Sequence, residues 1–222
     1  MAKKVFIGVG HGGSDPGATA FGLKEKDLNL NIAKACRDEL EKQGVKVKLS
    51  RTKDENDPIE SEISKCNKYS PDLALDIHNN AGGGDGAEVY YYSGGGVSKQ
   101  LAKNVLDCIV ECGQNSRGIK VKLNKNGTDY FGFIREVAAP SVIVECAFID
   151  NKTDIKIIDT ATEQKKMGVA IAKGVLKTLG ISAKNSTSKY FVTAGPFSKK
   201  SDATKLVTSL KNQGIAATLK TE

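Results

Sequence analysis

The chain has 222 residues, 39% hydrophobic and 27% charged, with a formal net charge of +7. That length suits one domain of about 180 residues, able to bury about 70% of the surface its unfolded chain exposes, plus a small appendage. No stretch reaches the ~18–20 apolar residues of a membrane span, and Met1-Ala2-Lys3-Lys4 runs into a short apolar stretch without the longer core and cleavage site of a secretory signal.

Strand-like and helix-like patterns alternate from the N-terminus. Lys4–Val9 reads as a strand, followed by a glycine-rich loop from Gly10 to Gly22. Asp27–Gln43 reads as a helix whose apolar face is Leu28, Leu30, Ile32, Ala35, Cys36 and Leu40, with Gly44 as its stop. Strands are expected at Val45–Leu49, Leu73–Ile77, Ala87–Tyr92 and Val142–Cys146, and helices at Pro58–Tyr69, Val97–Cys112 and Glu163–Leu179. This order predicts an α/β fold, a largely parallel mixed sheet flanked by helices. The polar, aperiodic run 181–188 reads as a linker between a domain at 1–180 and a small segment at 189–222. In that segment Tyr190–Gly195, Ser201–Gln213 and Ile215–Leu219 read as strand, helix and strand, a βαβ unit.

Charge is unevenly placed. Residues 181–222 carry seven lysines against Asp202 and Glu222, leaving 26 basic and 24 acidic residues elsewhere. The basic tail suits either a solvated face or an anionic polymer, nucleic acid or a wall polymer. No aromatic-plus-arginine pattern accompanies the lysines, so nucleic acid is not expected. Cys36, Cys66, Cys108, Cys112 and Cys146 include no Cys-x-x-Cys pair. They read as small apolar core residues of a reduced protein.

The chain has only two histidines, His11 and His78, and each follows a predicted strand. An α/β sheet presents its ligands at that edge. Gly8-Val-Gly-His-Gly-Gly13 contains a Gly-x-Gly-x-x-Gly pattern. In a dinucleotide fingerprint the third glycine opens a helix, whereas here Ser14-Asp15-Pro16-Gly17 intervenes. The glycines instead let backbone crowd a ligand held by His11. Glu25 opens the following helix, either as a charge complementing the helix dipole or as a carboxylate ligand. His11, Glu25 and His78 make the two-imidazole, one-carboxylate set of catalytic zinc sites, which keep a fourth position for water and lower its pKa from ~16 to ~7. Glu145 lies in the apolar strand Pro140–Phe148. Either Arg51 or Arg135 pairs with it, or burial raises its pKa and fits it as a general base.

Six blocks in order then resemble the zinc-dependent N-acetylmuramoyl-L-alanine amidases of the amidase-3 type. They are Gly10-His-Gly-Gly-Ser-Asp-Pro-Gly-Ala18, Gly22–Leu30, Leu49-Ser-Arg-Thr52, Asp76-Ile-His-Asn-Asn-Ala81, Gly86-Ala-Glu-Val-Tyr-Tyr91 and Pro140–Phe148. The resemblance runs from residue 4 to about 179. It implies one Zn2+ on His11, Glu25 and His78, with Glu145 as the essential glutamate, in cleavage of the amide between N-acetylmuramic acid and the L-alanine of the peptidoglycan stem. Three positions depart from the family pattern: Gly8 stands where it has Asp, Glu62 where it has Arg, and Asp76 where it often has Ser. The missing acid at Gly8 leaves His11 to find a partner elsewhere or to lack one.

The tail resembles the first half of a SPOR-type peptidoglycan-binding domain, in Tyr190–Phe197, Ser201-Asp-Ala203 and Leu210-Lys-Asn-Gln-Gly214. Two copies paired through 189–222 would complete such a module and make a homodimer. The expected setting is the cell wall, reached after cytoplasmic synthesis by release through a holin or by lysis, as for a phage endolysin or a bacterial autolysin. Other readings are a zinc peptidase of the stem peptide, a non-catalytic wall-binding protein and a dinucleotide-binding oxidoreductase.

Overall fold

The computed structural model describes residues 2–182, 194–215 and 217–219, and the chain divides into two compact units, Met1–Lys184 and Asn185–Glu222. The first unit is built on six strands, β1 (Lys4–Val9), β4 (Lys46–Leu49), β5 (Leu73–Asn80), β6 (Ala87–Tyr91), β7 (Ser116–Lys120) and β8 (Ser141–Phe148). They lie in the order β4-β1-β5-β8-β6-β7, with every pairing parallel except β6 with β8. A short hairpin, β2 (Thr19–Ala20) with β3 (Leu23–Lys24), sits in the glycine-rich loop. The helices are α1 (Glu25–Lys42), α2 (Ile59–Tyr69), α3 (Gly96–Glu111), α4 (Gly132–Glu136) and α5 (Ala161–Leu179). The expected mixed, largely parallel sheet between helices is what the chain forms.

Side-chain alternation sorts the two faces of this sheet. Val5, Ile7, Val9, Leu73, Leu75, Ile77, Val142, Val144 and Cys146 face a large core with α1, α3 and α5. Phe6, Ala74 and Ile143 face a smaller core with Ile63 and Cys66 of α2 and Phe133 and Ile134 of α4. Continuing that second face toward the strand ends brings up Asp76 and His78 on β5, Glu145 on β8, and Glu88 and Tyr90 on β6. The ionisable groups Asp76, His78, Glu145 and Glu88 therefore share one face of the sheet. The five cysteines are free, and all but Cys112 are buried, as the composition suggested.

Several boundaries differ from those expected. Helix α1 starts at Glu25 rather than Asp27, which puts Glu25 in the first turn. Strands β5 and β8 run on to Asn80 and Phe148, so His78 and Glu145 lie within strands rather than beyond or near their ends. β7 and α4 carry no periodic apolar signal: β7 is Ser-Arg-Gly-Ile-Lys, and α4 is five residues long.

In the second unit the expected βαβ pattern is corrected. Its helix forms as α6 (Lys200–Asn212). Ala194 and Gly195 are not strand, and neither are 215 and 217–219; Tyr190–Thr193 lie outside the described residues. A strand needs a neighbour for its N–H and C=O groups. The Ile215 amide instead closes the end of α6, donating to Leu210 O at 3.0 Å.

Candidate metal centre and active site

The loop after β1 turns sharply at His11, whose φ of 63° is left-handed, a strained conformation for a residue with a side chain. Surrounding bonds hold it there. Gly10 N donates to Ile77 O at 3.1 Å, and Asn29 Nδ2 to Gly10 O at 3.0 Å. The buried Arg51 guanidinium donates to the carbonyls of Val9, Gly10, Lys26 and Lys53. Arg51 therefore braces the loop and does not pair with Glu145, and Arg135 likewise binds the Asp129 and Tyr130 carbonyls and Glu136.

The brace brings together groups 67 positions apart in sequence. Glu25 Oε2 lies 3.1 Å from His11 Nε2, and Glu25 Oε1 lies 3.0 Å from His78 Nδ1. One ligand atom from each of the three residues lies within 4.8 Å of the others, and the group could hold a metal ion. Glu25 is buried and fixed by Ala18 N at 2.9 Å, Asn79 N at 3.1 Å and Asn29 Nδ2 at 3.3 Å. The outward nitrogens are also held: His11 Nδ1 lies 2.7 Å from Asp15 Oδ2, and His78 Nε2 lies 3.1 Å from Asp76 Oδ2. A carboxylate behind each imidazole sets its tautomer and aims its inner nitrogen. The donor set fits a divalent metal.

Electrostatics agree with this geometry. Burial opposes ionisation of Glu25, but hydrogen bonds from His11 and His78 outweigh it and hold the carboxyl far below the usual range. The hydrogen bond to Glu25 raises the His11 pKa despite partial burial. Burial opposes charge on His78, yet Asp76 and Glu25 push its pKa well up.

Glu145 sits beside this cluster, in register with His78 on one side and Glu88 on the other. Its Oε2 is buried with no hydrogen-bond partner. Burial, reinforced by the charges of Glu25, Glu88 and Asp76 and opposed by His78, pushes its pKa up to about 7. The first loop, meanwhile, has spent its amides. Gly12 N donates to Asp15 O, Gly13 N to Asp54 Oδ1 and Ser14 N to Asn56 Oδ1, and α1 starts only at Glu25. That is no cradle for a pyrophosphate.

Residues 5–177 match the family model described as N-acetylmuramoyl-L-alanine amidase. This chain belongs to that family. It is 34% identical over 218 residues to the N-acetylmuramoyl-L-alanine amidase CwlM of Bacillus licheniformis, covering 96% of this chain and 83% of the relative. It is 32% identical over 197 residues to the endolysin of Bacillus phage SPP1, covering 85% and 70%. Among solved structures, AmiC2 of Nostoc punctiforme, an N-acetylmuramoyl-L-alanine amidase, superposes with a TM-score of 0.73 at 30% identity, covering 80% of this chain and 97% of that one.

The three departures of this amidase from the family pattern meet in one place. A Cβ on Gly8 would overlap Glu62 Oε1 and crowd Asp76 Oδ1. Glycine leaves room for the two acids, and an aspartate there would not fit beside them. Burial and the neighbouring Asp76 charge push the Glu62 carboxyl well above its usual range. Acid is thus absent behind His11 at position 8 and present behind His78 at position 76. Asp15, four residues after His11, supplies the partner that His11 needed. Asp15, Asn29 and Asn79 carried no isolated signal in the sequence, although the His11–Asp15 spacing was visible.

Two expectations follow. If the cluster holds a divalent metal, Asp76→Asn should weaken its binding about 10–100-fold, the usual cost of losing a carboxylate behind a metal-binding imidazole; competition with a chromophoric chelator measures it. Gly10→Ala drives a methyl into the His78 ring. A displacement near 1 Å at a reacting centre costs about 100-fold in rate, read as slower clearing of a peptidoglycan suspension at full metal loading.

Proposed function

We propose that this amidase hydrolyses the bond between N-acetylmuramic acid and the stem L-alanine with one zinc ion held by His11 Nε2, Glu25 and His78 Nδ1. The observation that carries the reading is the convergence of these groups beside the unpartnered acid of Glu145. Bound there, zinc supplies Lewis acidity, polarising the scissile carbonyl and making water easier to deprotonate.

The chain's own groups do the rest. Glu25, fixed by three N–H donors, keeps the two imidazoles converged, and Asp15 and Asp76 hold their outer nitrogens. Glu145 takes a proton from the attacking water as its oxygen adds to the carbonyl carbon. It returns that proton to the alanine nitrogen as the C–N bond breaks. A carboxyl near pKa 7 is suited to both transfers at neutral pH.

Among the described residues no helix is long and apolar enough to cross a membrane. We infer that the chain works on the cell wall, as the endolysin relative's name suggests for that protein. The described residues of the second unit lend no support to pairing of two copies or to binding of anionic polymers. The deciding experiment is product analysis on purified peptidoglycan. New N-terminal L-alanine on otherwise intact stems supports the reading, whereas cuts within the stem peptide establish a peptidase and no new termini a non-catalytic binder.

A further inference from the structure

The register that sets His78 beside Glu145 continues one strand further, to Glu88 on β6. Glu88 is buried, and four side chains converge on it. Its Oε2 accepts from Arg117 Nε at 2.8 Å and from Lys120 Nζ. Its Oε1 accepts from Tyr90 OH at 2.8 Å and Asn80 Nδ2 at 3.1 Å. Two cations on one carboxylate leave a surplus positive charge on the same sheet face as the candidate site.

That charge is fixed and reachable. The Arg117 guanidinium lies 4.9 Å over the Phe148 ring and gives Glu88 only its Nε, leaving its terminal nitrogens without a hydrogen-bond partner among the described residues. The Arg117 and Lys120 side chains are 37% and 33% exposed. If the cations served only to neutralise Glu88, one would suffice.

Spacing says what the charge would meet. Neighbouring strands are about 4.8 Å apart, which puts Glu88 roughly 10 Å from the His78 backbone and about 5 Å beyond that of Glu145. An extended peptide advances about 3.3–3.6 Å per residue. Two residues of an extended stem span about 7 Å, and a carboxylate with its hydrogen bond adds about 3 Å, so a stem running from the candidate metal centre across β8 puts the α-carboxyl of its second residue within reach of the Arg117–Lys120 pair. In peptidoglycan that residue is a glutamate joined through its side-chain carboxyl, with its α-carboxyl either free or amidated.

We propose that Arg117 and Lys120, clamped by Glu88, form an anion subsite for the free α-carboxylate of the second stem residue. The proposal rests on the amidase reading. It makes the enzyme selective for walls in which that group is not amidated. Charge-assisted bonds of this type are roughly twice as strong as neutral ones, and the site is organised before substrate arrives.

The test compares peptidoglycan strands that differ only in free or amidated second-residue carboxyl, with cleavage followed by new alanine N-termini. The expected kcat/KM is at least about tenfold higher on the free acid, chiefly through KM. Lys120→Met keeps the alkyl stem and leaves Arg117 on Glu88; it should bring the ratio of the two substrates to within about twofold of unity. Equal cleavage of both strands by the unmodified enzyme overturns the subsite while the amidase reading stands. A Lys120→Met loss shared equally by both strands marks a structural role and overturns it too. No alanine termini from either strand overturns the amidase reading and the subsite with it.

Discussion

Glu145→Gln should lower the hydrolysis rate by about 10²–10⁴-fold, the range supplied by a positioned acid–base group, while leaving about one zinc per chain. Glutamine matches the shape of the side chain and can neither take nor return a proton. Because Glu145 is placed beside His11, Glu25 and His78 and not among them, metal content separates loss of chemistry from loss of the centre. The pH profile provides a second reading. Burial raises the Glu145 pKa to about 7, and a base must be ionised. The rate should therefore rise about tenfold per pH unit on the acid side and level off near neutrality. A divalent ion nearby favours the carboxylate and moves that midpoint down, never up. The glutamine variant should lose this limb. Near-wild-type lysis by Glu145→Gln would remove Glu145 from the mechanism.

Chelation should abolish wall lysis, and stoichiometric zinc should restore it. Glu25→Ala should abolish both lysis and its rescue. Glu25 bonds both imidazoles, through different oxygens. Removing it leaves His11 and His78 without their common counter-charge. In the metal-free chain Glu25 raises the His11 pKa, and Asp76 and Glu25 raise that of His78, whereas the metal binds the neutral ring. Zinc uptake should then release protons near neutral pH, and its affinity should rise with pH as they leave. Titration calorimetry in buffers of different ionisation heat measures that release. Retained zinc and retained activity in Glu25→Ala would place the metal elsewhere.

What the linear chain determined was composition, periodicity and residue type. Alternating patterns give the α/β order because a strand buries every second side chain and a helix every third or fourth. His11, His78 and Glu145 stood out because imidazole is scarce in this chain and an ionisable group in an apolar strand needs a reason. β7 and α4 escaped, since an edge strand of charged residues and a single helical turn carry no period. The expected strand at Ile215–Leu219 is absent from its described residues, because strand pairing is a property of neighbours, which a local pattern cannot supply.

Only the tertiary structure decided how these groups are held. Asp15 finds His11 within one turn of chain, but Asp76 matters because β5 aims it and His78 to the same face. Glu25 becomes a bridge because α1 starts two residues early and packs over the sheet edge. Glu88 gathers Arg117 and Lys120 because β6 and β7 lie side by side. The alignment of His78, Glu145 and Glu88, and of Glu88 with Arg117 and Lys120, depends on the register between strands, and register is fixed by burying one face of the whole sheet at once.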